Sequence, residues 1–254
     1  MKYLYTLIFF IFIAVIVATT IIKPKITVAV AANVQYAMNE LKAEFTRETG
    51  INVAVIIGSS GQLTAQIKAG APYDVFISAD MKYPQTLYRN KDAVDSPKVY
   101  AEGSLVIWTM KKGITFDDRL KILLERSINK IALANPITAP YGNATVEALK
   151  YFGIYNQVKD KLIYGESIAP TNQFIYSKAA DAGFTAKSVV LSPQMEGKGT
   201  WMEIQSDSYK HIEQGCVILK YGYNNQKDES IKFYNFLFSQ KAKNILSKFG
   251  YKVK

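Results

Sequence analysis

Cysteine and histidine are almost missing from this chain: among 254 residues there is one of each, Cys216 and His211. A single thiol excludes an internal disulfide, and one His with one Cys cannot supply a zinc site of the usual composition. The neighbours Val217, Ile218 and Leu219 make Cys216 a packed, inert thiol in a buried strand. His211 sits in a polar, loop-like stretch, a poor setting for the base of a Ser-His-Asp triad. Low-complexity tracts, heptad runs and repeats of solenoid period are also absent. The small-residue break Gly58-Ser59-Ser60-Gly61 lacks the G-K-[ST] of a P-loop, which argues against nucleotide phosphate.

What is present is an ordinary globular composition, 49% hydrophobic and 20% charged. The length suits one large domain or two lobes of about 100–120 residues. Net charge is +10, carried by scattered lysines without an Arg-rich stripe, so no nucleic-acid partner is expected. A basic surface of that kind still raises the local concentration of anions. The start, "MKYLYTLIFFIFIAVIVATTIIK", has no charge between Lys2 and Lys23 and marks export. Residues 1–24 read as a signal peptide or a membrane anchor. The small-x-small pattern before a cut at Ala18 is spoiled by Ile16, and a bilayer needs roughly 20 apolar residues. No Cys follows the run, so a lipidated N-terminus is not indicated.

From Ile26 the chain alternates. "ITVAVAA", "INVAVII" and "YDVFISA" read as strands, and "VQYAMNELKAEFTRETG" and "GQLTAQIKAG" as the helices between them. That order predicts a parallel sheet with helices on its faces. "GSLVIWTM" opens a second α/β series, "CVILKYG" returns from it, and the tail carries two amphipathic helices. Lobe one is thus placed at 25–102 plus 217–254 and lobe two at 103–216, with a hinge and a cleft between.

Ligands of open α/β sheets lie beyond the carboxyl ends of strands, where helices begin. Four strand-to-helix turns offer similar chemistry. They are Ala31-Ala32-Asn33-Val34, with Asn33 as cap; Gly58 to Gly61, with Ser60 as cap; "NPITAPYGNATVEALKYF", with Pro140 in the first turn before Tyr141 and Gly142; and "YGESIAPTNQFIY", with Ser167 as cap beside Ile168. Taken singly, each is ordinary capping. Together they offer unpaired N–H groups and positive dipole ends, with no Lys or Arg at the helix start of any of the four; Lys150 of the third stretch lies at the far end of its helix. Such a site rewards an oxyanion whose oxygens are all acceptors; Glu166 must point away from it. Seventeen tyrosines could build a ferric site, but no carboxylate–tyrosine cluster stands out.

Four stretches, "VAVAANVQYAM", "GSSGQLTAQIKAGAPYDVFISAD", "NPITAPYGNATVEAL" and "FYNFLFSQKAKNILSKFGYKVK", resemble the periplasmic molybdate-binding proteins of ABC importers. The second is the most specific, and the likeness runs from Ile26 to the C-terminus. It implies a two-lobe periplasmic binding protein type II fold. Each lobe would be a mixed, mostly parallel sheet flanked by helices, with the ligand cleft between lobes. It further implies a non-enzymatic, monomeric, extracytoplasmic receptor that needs no cofactor, captures molybdate or tungstate and delivers it to an ABC permease in the inner membrane. Molybdenum or tungsten would enter only as the bound oxyanion.

Carried over by motif, the resemblance gives Asn33, Ser60, Tyr141 through its amide and Ile168 through its amide as oxyanion ligands. Ala32, Ser59, Gly142 and Ser188 are further candidates. Some relatives donate a tyrosine hydroxyl from a position that here is Ala186, so either one donor is lost or a nearby group such as Ser188 or water substitutes. The rival readings are a receptor for another tetrahedral oxyanion, such as sulfate or thiosulfate, and a secreted hydrolase using Ser60.

Overall fold

The computed structural model describes residues 25–253. The 1–24 segment, read above as signal peptide or anchor, lies outside the described residues. Strand β1 (Lys25–Ala31) leads through a 3-10 turn at Ala32–Val34 into helix α1 (Gln35–Thr49). The helix buries Ala37, Met38, Leu41 and Phe45, the stripe expected from their spacing, and Gly50 ends it in the left-handed conformation at φ 72°. Then come β2 (Asn52–Gly58), α2 (Ser60–Lys68), β3 (Val75–Ile77), α3 (Lys82–Arg89) and β4 (Lys98–Gly103).

The second lobe holds β5 (Leu105–Thr109), β6 (Ile131–Ala134), α4 (Pro140–Tyr151), α5 (Tyr155–Val158), β7 (Leu162–Gly165) and α6 (Ile168–Tyr176). It is completed by β8 (Ala182–Ala186), α7 (Lys187–Val190) and β9 (Thr200–Glu203). Strand β10 (Ile212–Ile218) returns to the first lobe, followed by α8 (Lys220–Asn225), α9 (Lys227–Leu237) and α10 (Gln240–Lys248).

Two five-stranded sheets result, ordered β2-β1-β3-β10-β4 and β7-β6-β8-β5-β9. Both are mixed. In the first, β1 runs parallel to β2 and β3, while β10 runs antiparallel to β3 and β4. In the second, β6 runs parallel to β7 and β8, and β5 antiparallel to β8 and β9. The first lobe resumes at Ile212, ahead of position 217, because Ile212, Glu213 and Gln214 already pair with Gly103, Glu102 and Ala101. The outgoing crossing is equally abrupt: Ser104 alone separates β4 from β5.

Each lobe has its own core. In the first, Phe45 meets Phe233 edge-on at 5.1 Å between ring centroids and Phe236 at 5.5 Å, which fastens the C-terminal helices to α1. Each buried ring contributes about 1.5–3 kcal/mol relative to an exposed one. In the second, Leu105, Ile107, Leu133, Ala148, Leu149 and Phe184 fill the space between sheet and helices. Cys216 is fully buried in β10, and burial pushes its thiol far up from the usual range. These cores fix the carboxyl ends of β1 and β2 in one lobe, and of β6 and β7 in the other, facing each other across the cleft.

Candidate functional site

A small cavity lies between the lobes, lined by Ala31, Ala32, Asn33, Gly58, Ser59 and Ser60 from the first. Ala79 joins them on that side, and Ala139, Pro140, Tyr141, Ser167 and Ile168 line it from the second lobe. All four turns singled out in the sequence meet there. No residue on this wall carries a formal charge, and Glu166 is exposed and not part of it.

The second turn shows how a serine is aimed. Ser59, not Ser60, caps α2: its Oγ accepts from the Gln62 N–H at 3.3 Å, and the Gln62 side chain accepts from the Ser59 N–H. This reciprocal box leaves Ser60 as the first helical residue, and that corrects the cap expected one position later. Ser60 Oγ instead accepts from the Ala79 N–H at 3.0 Å. With its oxygen so engaged, the hydroxyl proton is available to the cavity. The Ser60 main-chain N–H, at the helix start, has no acceptor within its own helix. Ser59 Oγ, by contrast, bonds Gln62 Oε1 at 3.0 Å, so its proton is spent on the cap.

In the third and fourth turns, prolines thin out the donors. Pro140 opens α4 and has no N–H. The Gly142 and Asn143 amides bond the Ala139 carbonyl at 2.9 and 3.1 Å, which leaves the Tyr141 N–H for the cavity. Gly142 is therefore a residue of close approach: a methyl there would collide with the Ala134 carbonyl, and its amide is taken. In α6, Pro170 lacks the N–H and the Thr171 amide turns back to the Ser167 carbonyl at 3.3 Å, leaving Ile168 and Ala169. Ser167 stands at the cap position as expected, but its side chain accepts no capping bond.

The first turn departs from the sequence reading in one respect. Asn33 does not cap. Its side-chain amide donates to Gln214 Oε1 at 2.8 Å and to Tyr251 Oη at 3.0 Å, away from the cavity. Its carbonyl accepts from Ser188 Oγ at 2.7 Å and from Tyr251 Oη at 2.9 Å. The group Asn33 offers the cavity is accordingly its main-chain N–H, beside that of Ala32. Ser188 reaches Asn33 rather than the cavity wall, and Ala186, buried at the end of β8, brings no phenol.

Burial pushes the Tyr141 phenol well above its ordinary range and the Tyr251 phenol up to about 12. Both stay neutral at physiological pH. Residues that sequence reasoning passed over are Gln214, Tyr251 and Tyr100. A glutamine next to the apolar run of "IEQGCVI" was the one available signal for Gln214.

A charge-free chamber walled by helix starts from two hinged lobes defines a solute-capturing receptor of the two-lobed kind. Across residues 26–252 the chain matches the bacterial extracellular solute-binding protein family, and it belongs to that family. It is 37% identical over 229 residues to molybdate-binding protein ModA of Rhodobacter capsulatus, covering 89% of this chain and 88% of the relative. To the ModA of Azotobacter vinelandii it is 34% identical over 228 residues, 89% of both. The solved periplasmic molybdate-binding protein of Azotobacter vinelandii superposes with a TM-score of 0.85 at 31% identity, covering 90% of this chain and 99% of that one.

Proposed function

We propose that this protein captures molybdate, and tungstate with it, outside the cytoplasm and delivers the oxyanion to an ABC permease. The observation that carries this reading is the absence of any charged residue from a small cavity on which four donor-bearing turns converge. Three of those turns open helices of nine, twelve and nine residues, and each helix N-terminus presents roughly half a positive charge. Three such ends offset most of a dianion's charge without a counter-ion.

The ligands in this reading are the Asn33, Tyr141 and Ile168 amides and the Ser60 hydroxyl, flanked by Ala32 and Ser59. Each charge-assisted bond contributes about 1.5–3 kcal/mol. Donors fixed in this way disfavour phosphate, which keeps a proton at neutral pH and would set it against an N–H or O–H. The smaller sulfate meets the same donors at a longer reach. The anion enters whole and leaves whole, without a resident cofactor and without chemistry on it. Similarity to the solved periplasmic molybdate-binding protein supports the location. Among the described residues no helix is long and apolar enough to cross a membrane, and a tether would be supplied by residues 1–24.

A thermal-shift series with molybdate, tungstate, sulfate and phosphate tests this. At a hundredfold excess over Kd, a true ligand adds about 2.7 kcal/mol, a rise in Tm of roughly 5–10 °C. Molybdate and tungstate are expected to give it; a shift with sulfate alone overturns the reading. In calorimetry, Ser60→Ala is expected to weaken molybdate binding about 10- to 100-fold. Unchanged affinity removes that hydroxyl from the site.

A further inference from the structure

Behind the cavity, on its hinge side, lies a cluster of polar side chains that includes those of Asn33 and Tyr141. At its centre is Gln214, fully buried in β10. Its Oε1 accepts from Asn33 Nδ2 at 2.8 Å and from Tyr100 Oη at 2.8 Å, and its Nε2 donates to Tyr141 Oη at 3.3 Å. Asn33 belongs to the first turn of one lobe and Tyr141 to the third turn, in the other. One amide therefore joins two residues that line the cavity from opposite lobes.

Two backbone features serve this arrangement. The β10–β4 register slips between Gln214 and Gly215, a bulge in the middle of a strand pair. Bulges turn a side chain away from the direction its ladder would give it. Opposite, Gly103 ends β4 at the hinge crossing. A methyl there would overlap Tyr141 Oη and stand 2.5 Å from Gln214 Nε2. Strand, bulge and glycine together clear a path for one side chain. Burying an amide whose partners are missing costs about 1–3 kcal/mol, so the cluster stays intact only while both lobes contribute to it.

We infer that Gln214 is a positioning residue for oxyanion capture, a cross-brace that aligns the Asn33 and Tyr141 amides with each other when the lobes close. The inference rests on the function proposed above, for it names what holds that site's donors in register. Its protons run one way. Tyr100 and Asn33 saturate the Gln214 oxygen, which forces Nε2 toward Tyr141 and fixes the orientation of the amide. Ser188, from the second lobe, tightens the same joint by donating to the Asn33 carbonyl.

The test is a double-mutant cycle of Gln214→Met with Tyr141→Phe, which keeps the Tyr141 amide, read by molybdate calorimetry and stopped-flow release. Gln214→Met is expected to weaken binding at least tenfold, mainly through faster release. Tyr141→Phe is then expected to add little in the Gln214→Met background, because the bond it removes is already lost. Losses that add in full, or folded Gln214→Met protein with wild-type affinity, overturn the inference.

Small-angle scattering of the ligand-free proteins separates this outcome from failure of the functional reading. If wild type binds none of the four anions, that reading falls. The brace is then judged by whether Gln214→Met widens the lobes relative to wild type. Unchanged scattering counts against it.

Discussion

The lobes touch on two sides of the cavity, and the two sides are built differently. On the hinge side the crossing contacts are hydrogen bonds from Gln214 Nε2 to Tyr141 Oη, from Ser188 Oγ to the Asn33 carbonyl and from Tyr251 Oη to Ser188 Oγ, all buried. On the outer side they are bonds to bare carbonyls of one loop. There the Gly61 N–H donates to the Thr138 carbonyl at 2.9 Å, and Tyr83 Oη donates to the Ile137 carbonyl at 3.0 Å, with Ile137 itself largely exposed. Breaking the first set strands polar groups in a dry interior, whereas water replaces the second set at once. The outer contact is therefore the less costly of the two to break. Gly61 also explains the small residues after β2: a methyl there would lie 2.8 Å from Tyr83 Oη and 3.0 Å from Thr138 Cα.

That contrast can be broken from the outside most strongly. Gly61→Val inserts bulk where the Thr138 backbone must arrive, and overpacking of this kind costs about 1–3 kcal/mol. Calorimetry is expected to show molybdate affinity reduced by roughly 10- to 100-fold, with the Tm of the ligand-free protein close to wild type. A collapse of that Tm would mean that Gly61 serves the first lobe's own packing instead.

Alkaline pH probes the inner side. The Tyr251 phenol titrates near 10 when unfolded and at about 12 in the folded chain. A raised folded value means that the folded state holds its proton more tightly. The stability tied to it is therefore complete below pH 10 and is lost as pH climbs toward 12. Thermal unfolding of wild type and Tyr251→Phe should diverge in shape across that window, the variant losing the Tyr251 share of the decline. Identical profiles would place the alkaline transition elsewhere.

The smallest effect is expected from Tyr83→Phe. It removes one exposed bond to the Ile137 carbonyl, a net of about 0.5–1.5 kcal/mol, so the affinity loss is a few-fold. A loss as large as that of Gly61→Val would show the outer contact to be as demanding as the inner.

The sequence pattern carried the strand and helix order, the α1 stripe and the meeting of four turns, because these follow from local periodicity and from strands ending where helices begin. It missed the details set by distant partners. Nothing near Asn33 announces that its amide will turn toward Gln214 and Tyr251, 181 and 218 residues further along the chain. The cap moved from Ser60 to Ser59 because Gln62, three residues after Ser59, completes the box there. With two serines adjacent, the spacing to Gln62 decided which one caps. The bulge beside Gln214 is invisible to alternation counting, since it changes the register of a strand without changing its residues.

Cys216, sealed in β10, gives the receptor an experimental convenience. A thiol with no surface exposure and a strongly suppressed thiolate is closed to maleimide reagents in the folded state. Reporter cysteines added to the exposed faces of the two lobes could carry dyes or spin labels without first replacing the native one. Opening and closing then become directly measurable in a molecule whose interior has been left untouched.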